Sequence, residues 1–553
     1  MIIQANGGNI MINVKEVLGK LRDILSPDFQ VTRIDRNGRH IYIETSSQKL
    51  LDAAKFLLDI DGRLIHVTAS DLGFRGIKLL HVYSFDHLVK NLHLILYAIL
   101  PRDNPVAPST ASLTYQSNWA ERETMELMGV KFENHPDPRH IFLPFEWPEP
   151  VESSKEWKTV KLERNVILPI GPYHPALIEG GYFKIKVDGE DILDVDIKVG
   201  FNHRGIMRLA ERRSFWKNVF LVSRVCGICN ICHPLAYLNA VENLFKIDVP
   251  DRAKYIRTLL AELNRIHSHF LWLGVAGELI GFKTLLMWTW KARELVQDCV
   301  ELITGNRVHM DAVIIGGSRI DLTDEMINKV REKLLAFKSQ AERIIDIVYD
   351  SGLVRKRTEN IGVLKLPEAK NAGIVGPTAR ASGWKIDVRK DSPYDAYGDE
   401  YTSWDVVTDE GSDVLARVIV RCKETLVSID ICMQCLDALK RVHGPIIHKE
   451  RFEIPEGEAI GKSEAPRGEL LYYIVSNGTI NPHTVRIRTP SYRNIAALKY
   501  MIPGYTLADV PIIIGSVDPC FACTDRVIIV DEKHGKKQVM SYDLFLKKYL
   551  KRR

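Results

Sequence analysis

The spacing of apolar residues along the first 150 residues predicts both helices and strands. Residues 51–58 (LDAAKFLL) repeat apolar side chains three and four positions apart, which places them on one face of a helix. Residues 79–85 (LLHVYSF) form a short apolar run with valine and aromatic side chains, which is typical of a strand. We therefore predict an α/β domain in this part of the chain.

A proline-rich and charged stretch ends this first region. Residues 144–165 contain three prolines and a run of mixed charge, which is typical of a linker. Beyond it, residues 183–187 (FKIKV) and 192–197 (ILDVDI) alternate apolar and polar side chains and flank an Asp-Gly turn. This pattern predicts a β-hairpin.

Helical periodicity dominates from about residue 205 to residue 360. Apolar residues recur at helical spacing over residues 255–273. A second helix is predicted over residues 323–353, where a threonine cap precedes an acidic first turn. A third long helix is predicted over residues 414–442.

These patterns together predict an α+β protein. The first domain offers no metal-ligand cluster and no nucleophile beside a base, so we interpret it as a docking domain. The predicted divisions are an N-terminal α/β docking domain (1–150), a linker (151–165) and a mostly α-helical domain with a small antiparallel sheet that begins at residue 166.

Composition and charge restrict the class of protein. Apolar residues make up 46% of the 553-residue chain, and the net charge is only +5, with basic and acidic residues interspersed. A nucleic-acid-binding face is not expected, because it needs a concentrated basic surface. No apolar run reaches the roughly 18 residues of a membrane-spanning helix, and the first residues (MIIQAN) do not resemble a secretory signal.

The cysteines carry the strongest chemical signal. They number nine and are clustered, which favours a reduced compartment and metal binding over a disulfide framework. Residues 224–233 (RVCGICNICH) and 518–526 (DPCFACTDR) each offer two thiols three positions apart, so that one turn of backbone can present both sulfurs to one ion. On spacing alone, a structural zinc is the default. The four candidate ligands are Cys226, Cys229, Cys520 and Cys523.

The remaining cysteines are interpreted as core residues. Cys432 and Cys435 lie inside a helical run with no glycine or turn to free the backbone, which favours packing in the core. Cys299 and Cys422 are isolated in the sequence. Cys232 could extend the first cluster, but nothing in the second segment matches it.

The two cysteine segments resemble the two metal-binding motifs of nickel–iron hydrogenase large subunits. In the first segment the resemblance includes Arg224 and His233, and in the second it includes Asp518 and Arg526. Residues 464–469 (EAPRGE) resemble the hydrogenase segment whose arginine overhangs the active site.

Other stretches resemble subunits of respiratory complex I. Those similar to the 49-kDa subunit are residues 171–175 (GPYHP), 202–205 (NHRG), 265–274, 376–383 (GPTARASG) and 387–390 (DVRK). Those similar to the 30-kDa subunit are residues 118–123 (NWAERE), 128–132 (MGVKF) and 135–137 (HPD). From about residue 75 onwards, the chain thus resembles a fused large subunit of the membrane-bound, complex-I-related hydrogenases of the formate hydrogenlyase type.

This resemblance implies a nickel–iron centre. In the family, the first cysteine of each pair binds nickel terminally and the second bridges nickel and iron, while iron also carries carbonyl and cyanide ligands. Carried over, Cys226 and Cys520 are terminal ligands, and Cys229 and Cys523 are bridging ligands. The five other cysteines form no cluster-type run, so no iron–sulfur cluster is expected in this chain.

The resemblance also implies roles for four residues around the metal. Glu179 aligns with the family's proton-relay glutamate, and Arg467 places positive charge over the site. His233 and Asp518 are candidates for tuning the thiolates through hydrogen bonds.

The implied function is reversible reduction of protons to H2, coupled to oxidation of formate, carbon monoxide or ferredoxin. The implied location is cytoplasmic, peripheral on the inner face of the cell membrane. The implied partners are an iron–sulfur small subunit that resembles the cluster-bearing complex I subunit, antiporter-type membrane subunits, ferredoxin-like electron-transfer subunits and a maturation endopeptidase. In the family that endopeptidase removes a C-terminal extension after nickel insertion. The resemblance therefore implies a catalytic domain over residues 166–526 and an extension over residues 527–553.

Two alternatives stay open at this point. One is a quinone-reactive, complex-I-like subunit without nickel, although that class lacks the complete set of four cysteines. The other is a non-catalytic scaffold with a structural four-thiolate zinc site.

Overall fold

The computed structural model describes residues 14–35, 38–142, 166–171, 179–202, 204–449 and 453–524, together with the backbone of residues 529–530 and 539–540. Helices and several small sheets occur in one chain, so the predicted α+β class is confirmed. The predicted linker at residues 151–165 lies outside the described residues.

A five-stranded sheet forms the N-terminal part of the described fold. The strand order is β1-β2-β5-β4-β3, in which β2 and β5 are parallel and the other neighbours antiparallel. The strands are β1 (Gln30–Ile34), β2 (His40–Glu44), β3 (Arg63–Asp71), β4 (Ile77–Ser84) and β5 (His93–Leu100), and the helices are α1 (Val14–Leu25) and α2 (Leu50–Asp59).

Both faces of this sheet are buried. Ile41 and Ile43 pack in one cluster with Leu57 of α2. Tyr42, between them, points to the other face and packs with Tyr473 far along the chain. This double burial explains why the strand predicted at residues 79–85 reads as a continuous apolar run instead of an alternating one.

A buried helix and a short parallel strand pair follow. The elements are β6 (Val106–Pro108), α3 (Tyr115–Met128) and β7 (Lys131–Glu133). Gly129 ends α3 in a left-handed conformation with φ 70°, which glycine adopts without steric cost. Glu121 of α3 is fully buried and accepts hydrogen bonds from Ser109 and Thr110.

The predicted hairpin is present as part of a three-stranded antiparallel sheet. Its strands are β8 (Val166–Ile170), β9 (Tyr182–Asp188) and β10 (Asp191–Lys198), in the order β10-β9-β8. Gly189 has φ 63° at the turn, as an Asp-Gly turn requires.

A helical body with one short hairpin occupies the middle of the chain. The helices are α4 (Ile206–Ala210), α5 (Phe215–Val222), α6 (Cys232–Phe245), α7 (Asp251–Leu279), α8 (Lys283–Thr304), α9 (Asp324–Asp350), α10 (Gly352–Thr358), α11 (Leu366–Ala372), α12 (Pro377–Arg380), α13 (Val388–Asp391) and α14 (Val414–Leu439), and the hairpin is β11 (Val313–Ile314) with β12 (Gly317–Ser318). Cys299, Cys422, Cys432 and Cys435 are all buried in these helices.

Two predicted helix ends differ from the structure. The helix predicted over residues 323–353 ends at Asp350, because Ser351 is extended and its side chain caps α10 instead. The helix predicted over residues 414–442 ends at Leu439. There the Arg252 guanidinium donates hydrogen bonds to the carbonyl oxygens of Leu439 and Val442. These bonds satisfy carbonyl groups that have no partner within the helix at its end.

The C-terminal part contains a three-stranded meander and short helices. The elements are β13 (Glu456–Ala465), β14 (Gly468–Asn477), β15 (Thr484–Arg488), α15 (Pro490–Ala496), α16 (Leu498–Met501), α17 (Val510–Ser516), α18 (Phe521–Thr524), β16 (Ile529–Val530) and β17 (Val539–Met540). β13 and β14 pack against the N-terminal sheet on one side and β13 against α6 on the other. Among the described residues, no helix combines the length and apolarity needed to cross a membrane.

Candidate metal centre

The two cysteine segments meet in one buried cluster of sulfurs. The Cys520 sulfur lies 3.6 Å from that of Cys226 and 2.8 Å from that of Cys523. The sulfurs of Cys226, Cys229 and Cys523 lie within 4.8 Å of one another. All four residues are buried. Tetrahedral coordination with metal–sulfur bonds of about 2.3 Å separates sulfurs by roughly 3.7 Å, and the 3.6 Å between the sulfurs of Cys226 and Cys520 agrees with that separation.

The first pair sits on the loop between α5 and α6. Cys226 has an extended backbone after a turn at residues 223–225, and its sulfur accepts the backbone N–H of Cys229 at 3.3 Å. No atom lies near the position of a Cβ on Gly227, so no close contact requires glycine there. The first pair is thus shaped by its own local hydrogen bonds.

The second pair sits at the start of α18. The backbone N–H of Cys520 donates to the Ser491 hydroxyl at 3.1 Å, and Cys523 follows one turn later. Asp518 has φ 51°, a left-handed conformation that an aspartate adopts less readily than glycine. This turn directs the chain from α17 into the cysteine pair.

The thiols influence one another's ionisation strongly. Hydrogen bonds from the other three thiols, that of Cys229 first, hold the pKa of Cys226 well below its ordinary value. Hydrogen bonds to Cys226 raise the pKa values of Cys229 and Cys520, and burial is the main cause that raises the pKa of Cys523. The cluster therefore holds one thiolate readily, and further ionisation needs positive charge of the kind that a metal ion supplies.

Arg467 provides fixed positive charge beside the sulfurs. Its Nε donates to the Asp518 carbonyl at 2.7 Å, and one terminal nitrogen donates to the Asp518 carboxylate at 2.8 Å. Burial lowers the pKa of Arg467, but the Asp518 carboxylate and the cysteine thiolates outweigh it and raise this pKa well above its ordinary value.

One nitrogen of Arg467 is left without a partner. Its Nη1 is buried and makes no hydrogen bond within the described part of the chain, and the same holds for Oδ2 of Asp518. A buried donor without an acceptor costs about 1–3 kcal/mol. Small acceptor ligands on a metal would satisfy it, so the residues present fit a nickel–iron centre with diatomic ligands.

Close packing holds the turn that carries Arg467. A Cβ on Gly376 would lie 2.4 Å from the Arg467 carbonyl oxygen, and a Cβ on Gly468 would lie 2.6 Å from the backbone of Gly376. Both residues have positive φ. Glycine at both positions therefore lets the GPTARASG segment and the EAPRGE turn touch backbone to backbone.

Glu179 lies at the sulfur cluster. One carboxylate oxygen is 3.8 Å from the Cys520 sulfur, and the other accepts the backbone N–H of Ala522 at 2.8 Å. The side chain is half-buried. The adjacent GPYHP motif lies largely in residues 172–178, outside the described residues.

Gly181 allows the turn that carries Glu179 to pack closely against the second cysteine pair. A Cβ on Gly181 would lie 2.4 Å from the Phe521 ring. Since Phe521 stands between the two cysteines of this pair, the glutamate turn and α18 pack as one unit.

His233 is placed on α6, just after the first cysteine segment. Its Nδ1 lies 2.8 Å from the Tyr472 hydroxyl on β14, and both residues are buried. This hydrogen bond ties α6 to the central meander. The role of His233 in tuning the thiolates remains a prediction.

The second cysteine pair is buried in the structure. Cys520 and Cys523 are each only 3% exposed. This burial arises because α18 packs through Phe521 against Phe183 and Gly181.

Sequence reasoning gave no role to several residues at the site. Thr489 donates to the Cys523 carbonyl at 3.1 Å, and Ser491 holds Cys520. Nothing in the spacing of these two residues signals a role. Arg204 contacts both cysteine segments. In the sequence, only its place in the NHRG motif indicated that it could have a role.

Comparison with known proteins places this site in a family. Residues 280–451 and 442–526 match the model of the respiratory-chain NADH dehydrogenase 49-kDa subunit, residues 43–159 match that of the 30-kDa subunit, and residues 204–274 match that of nickel-dependent hydrogenases. Formate hydrogenlyase subunit 5 of Escherichia coli (strain K12) is 34% identical over 80% of this chain and 80% of its own length.

The chain belongs to the family of membrane-bound hydrogenase large subunits and complex I 49-kDa subunits. It carries a 30-kDa-subunit domain fused before the 49-kDa part. Another relative is the carbon monoxide-induced hydrogenase of Rhodospirillum rubrum, 38% identical over 65% of this chain and 99% of that protein. Among solved structures, the archaeal membrane-bound sulfane sulfur reductase complex contains a chain with TM-score 0.62 and 32% identity, over 66% of this chain and 99% of that one.

Family motifs without a role in ligation build a buried ionic network behind the site. Arg380 of α12 contacts Glu424 at 2.6 Å and Glu464 at 2.8 Å. Arg389 of α13 contacts Asp387 at 2.7 Å. Burial and the Asp387 carboxylate raise the pKa of Glu464 to about 7, against the effect of the arginines. This network fixes the end of β13, and hence Arg467, to the helical body.

Proposed function

We propose that this chain is the catalytic large subunit of a nickel–iron hydrogenase, which interconverts two protons and two electrons with H2. The observation that carries the proposal is that four buried cysteine sulfurs from two distant segments lie close together. They lie beside Arg467, which has a buried nitrogen without a hydrogen-bond partner among the described residues. The resemblance to nickel–iron hydrogenases includes all four cysteines, and it implies that the quinone-reactive class lacks the complete set.

The cysteines supply a soft donor set. Thiolates prefer soft, redox-active metals, and the four negative charges of four thiolates equal the charge of two divalent ions. Cys226, Cys229, Cys520 and Cys523 are proposed as the residues that would hold the nickel–iron centre. When bound, the nickel–iron centre supplies the redox chemistry and the position at which H2 is made or split.

Glu179 is proposed to move the proton. Its free carboxylate oxygen lies 3.8 Å from the Cys520 sulfur, a distance that a small motion closes to a hydrogen bond. The Ala522 N–H holds the other oxygen at 2.8 Å and so limits rotation of the carboxylate. A proton that leaves the sulfur can therefore pass to one defined atom.

Arg467 is proposed to stabilise negative charge at the metal site. Its guanidinium is fixed through two hydrogen bonds to Asp518, so it needs no reorganisation during turnover. Burial of the arginine excludes water and strengthens its field at the sulfurs.

The rest of the complex is proposed from the same family membership. Electrons would pass to an iron–sulfur small subunit and ferredoxin-like subunits, and the chain would lie on the inner face of the cell membrane against antiporter-type subunits. Similarity to a formate hydrogenlyase subunit and to a carbon monoxide-induced hydrogenase supports formate or carbon monoxide as the electron source, and ferredoxin is the third candidate. A maturation endopeptidase would remove residues 527–553.

Metal analysis joined to a hydrogen assay tests the proposal. The complex purified from its native host is expected to hold nickel and iron with this chain and to evolve H2 from reduced methyl viologen. A Cys520→Ser variant should lose both nickel and activity. Zinc as the only metal, without hydrogen turnover, would support the scaffold alternative, and reduction of quinone by a nickel-free complex would support the complex-I-like one.

A further inference from the structure

Arg204 joins the two halves of the sulfur cluster from outside. It lies on the loop between β10 and α4, and its side chain is exposed. One terminal nitrogen donates to the Val225 carbonyl at 2.7 Å and to the Ala522 carbonyl at 3.1 Å. The other donates to the Arg224 carbonyl. One guanidinium therefore bonds to both cysteine segments.

Two of the three acceptor carbonyls belong to residues that directly precede a proposed cysteine ligand. Val225 immediately precedes Cys226, and Ala522 immediately precedes Cys523. The position of each carbonyl fixes the peptide plane from which the next cysteine extends. A change in the distance between these two planes changes the distance between the two cysteine pairs.

The same loop also reaches the turn of Glu179. Asn202 donates to the Gly180 carbonyl at 3.0 Å. Both backbone polar groups of Ala522 are hydrogen-bonded. Its N–H donates to the Glu179 carboxylate, and its carbonyl oxygen accepts from Arg204. Asn202 and Arg204 together thus contact the glutamate turn and both cysteine segments.

We propose that Arg204 is a positioning residue, which sets the separation of the two cysteine pairs and keeps Glu179 in register with Cys520. Only a planar fork with several donors can span three carbonyls on two segments, and among side chains arginine alone offers one. Because Arg204 is exposed, the rest of the fold does not depend on its burial. The proposal rests on the proposed function only for the identity of the metal.

Two substitutions and a control separate geometry from charge. Arg204→Gln removes the cation and the fork, whereas Arg204→Lys keeps the cation but replaces the fork by a single ammonium group. Arg208→Gln is the matched control, since this partly exposed arginine on α4 pairs with Glu211 at 2.6 Å. It removes the same charge a few residues away.

Hydrogen–deuterium exchange of the full chain without added metal is the first measurement. In Arg204→Gln, the amides of Cys229, Cys520 and Ala522 should exchange faster, while peptides of α9 and α14 stay unchanged. Arg208→Gln should match the parent chain. Unchanged exchange in the peptides that cover residues 224–230 and 518–524 would overturn the proposal.

Binding of Co2+ alone to the same chains is the second measurement, because its thiolate charge-transfer bands report the number of bound sulfurs. We expect the affinity for Co2+ to fall about 10- to 100-fold in Arg204→Gln, as for other residues that orient metal ligands. Arg204→Lys should fall between this variant and the parent chain. Equal loss in Arg208→Gln would assign the effect to surface charge and overturn the proposal.

These measurements remain decisive if the proposed function fails. A parent chain that binds Co2+ through four sulfurs but shows neither nickel nor hydrogen turnover would reject the hydrogenase and leave the role of Arg204 intact. A parent chain that binds no Co2+ would reject the metal centre, and the exchange measurement would still decide whether Arg204 holds the segments together.

Discussion

A carboxylate oxygen of Glu179 lies 3.8 Å from the sulfur of Cys520, although 341 positions separate the two residues in the sequence. The other carboxylate oxygen is bonded to the N–H of Ala522, inside the same cysteine pair. The glutamate is thus fixed by the segment that carries the sulfur beside it. This relationship leads directly to the first prediction.

Glu179→Gln should leave the metal bound and slow hydrogen turnover severely. Glutamine keeps the shape and the acceptor for the Ala522 N–H, but it cannot carry a proton. We expect a loss of about 10²- to 10⁴-fold in H2 evolution at unchanged nickel content. Glu190→Gln, on the exposed turn of the β9–β10 hairpin, is the control. Parent-level turnover in a nickel-replete Glu179→Gln complex would place the proton relay elsewhere.

Arg467→Lys should also lower turnover without unfolding the protein. Lysine keeps the charge, but it cannot make the paired hydrogen bonds to Asp518 or hold a further donor in a fixed direction. Loss of one such preorganised donor costs about 10²- to 10³-fold in rate. Arg357→Lys, at a partly exposed arginine paired with Asp509, is the matched control. Turnover equal to that of the control would remove Arg467 from the chemistry.

The isolated chain should show no iron–sulfur cluster. Cys232, Cys299, Cys422, Cys432 and Cys435 are the cysteines left after the four proposed ligands. Cys432 and Cys435 are packed in α14, and burial raises the pKa of the Cys435 thiol, which opposes thiolate formation. Absorption and electron paramagnetic resonance of the singly expressed chain check this. A cluster signal in this chain would contradict the prediction.

The active enzyme should end at Arg526. The family resemblance implies removal of residues 527–553 after nickel insertion, and Cys523 lies only a few residues before that point. Intact-mass measurement of the purified complex should find nickel with the shorter chain and no nickel with the chain that ends at Arg553. Active, nickel-replete protein that retains the extension would reject this maturation step but not the hydrogenase assignment.

Glu121 should make stability fall as the pH rises from about 5 to 7.5. Burial raises the pKa of this carboxyl to about 7, against the lowering effect of hydrogen bonds from Ser109 and Thr110. The folded state therefore holds the proton more tightly than the unfolded state, and its stabilising effect is complete below the unfolded pKa and lost as the pH passes about 7. The effect is at most about 1.4 kcal/mol per pH unit.

Thermal unfolding of the parent chain and of Glu121→Gln at both pH values measures this effect. The advantage of the parent chain in Tm should shrink between pH 5 and pH 7.5, because glutamine does not titrate. The exposed Glu133→Gln should show no such change relative to the parent. A difference between the parent and Glu121→Gln that stays constant with pH would mean that Glu121 does not titrate in this range.

Local spacing in the sequence determined the chemistry and much of the secondary structure. Each cysteine pair is a local feature, because its two sulfurs are presented by one turn of backbone. The hairpin at Gly189 and the long helices α7, α9 and α14 also follow from short-range periodicity and capping. Resemblance to known motifs then pointed to Glu179 and Arg467, which no spacing rule singles out.

Only the tertiary structure decided which segments meet. The contact between Cys226 and Cys520 spans 294 positions, and the packing of the helical body against the meander brings it about. The unsatisfied nitrogen of Arg467 and the three carbonyl contacts of Arg204 likewise depend on segments far apart in the chain. Periodicity reports which face of an element is buried but not what covers that face, so these relationships appear only once the chain is folded.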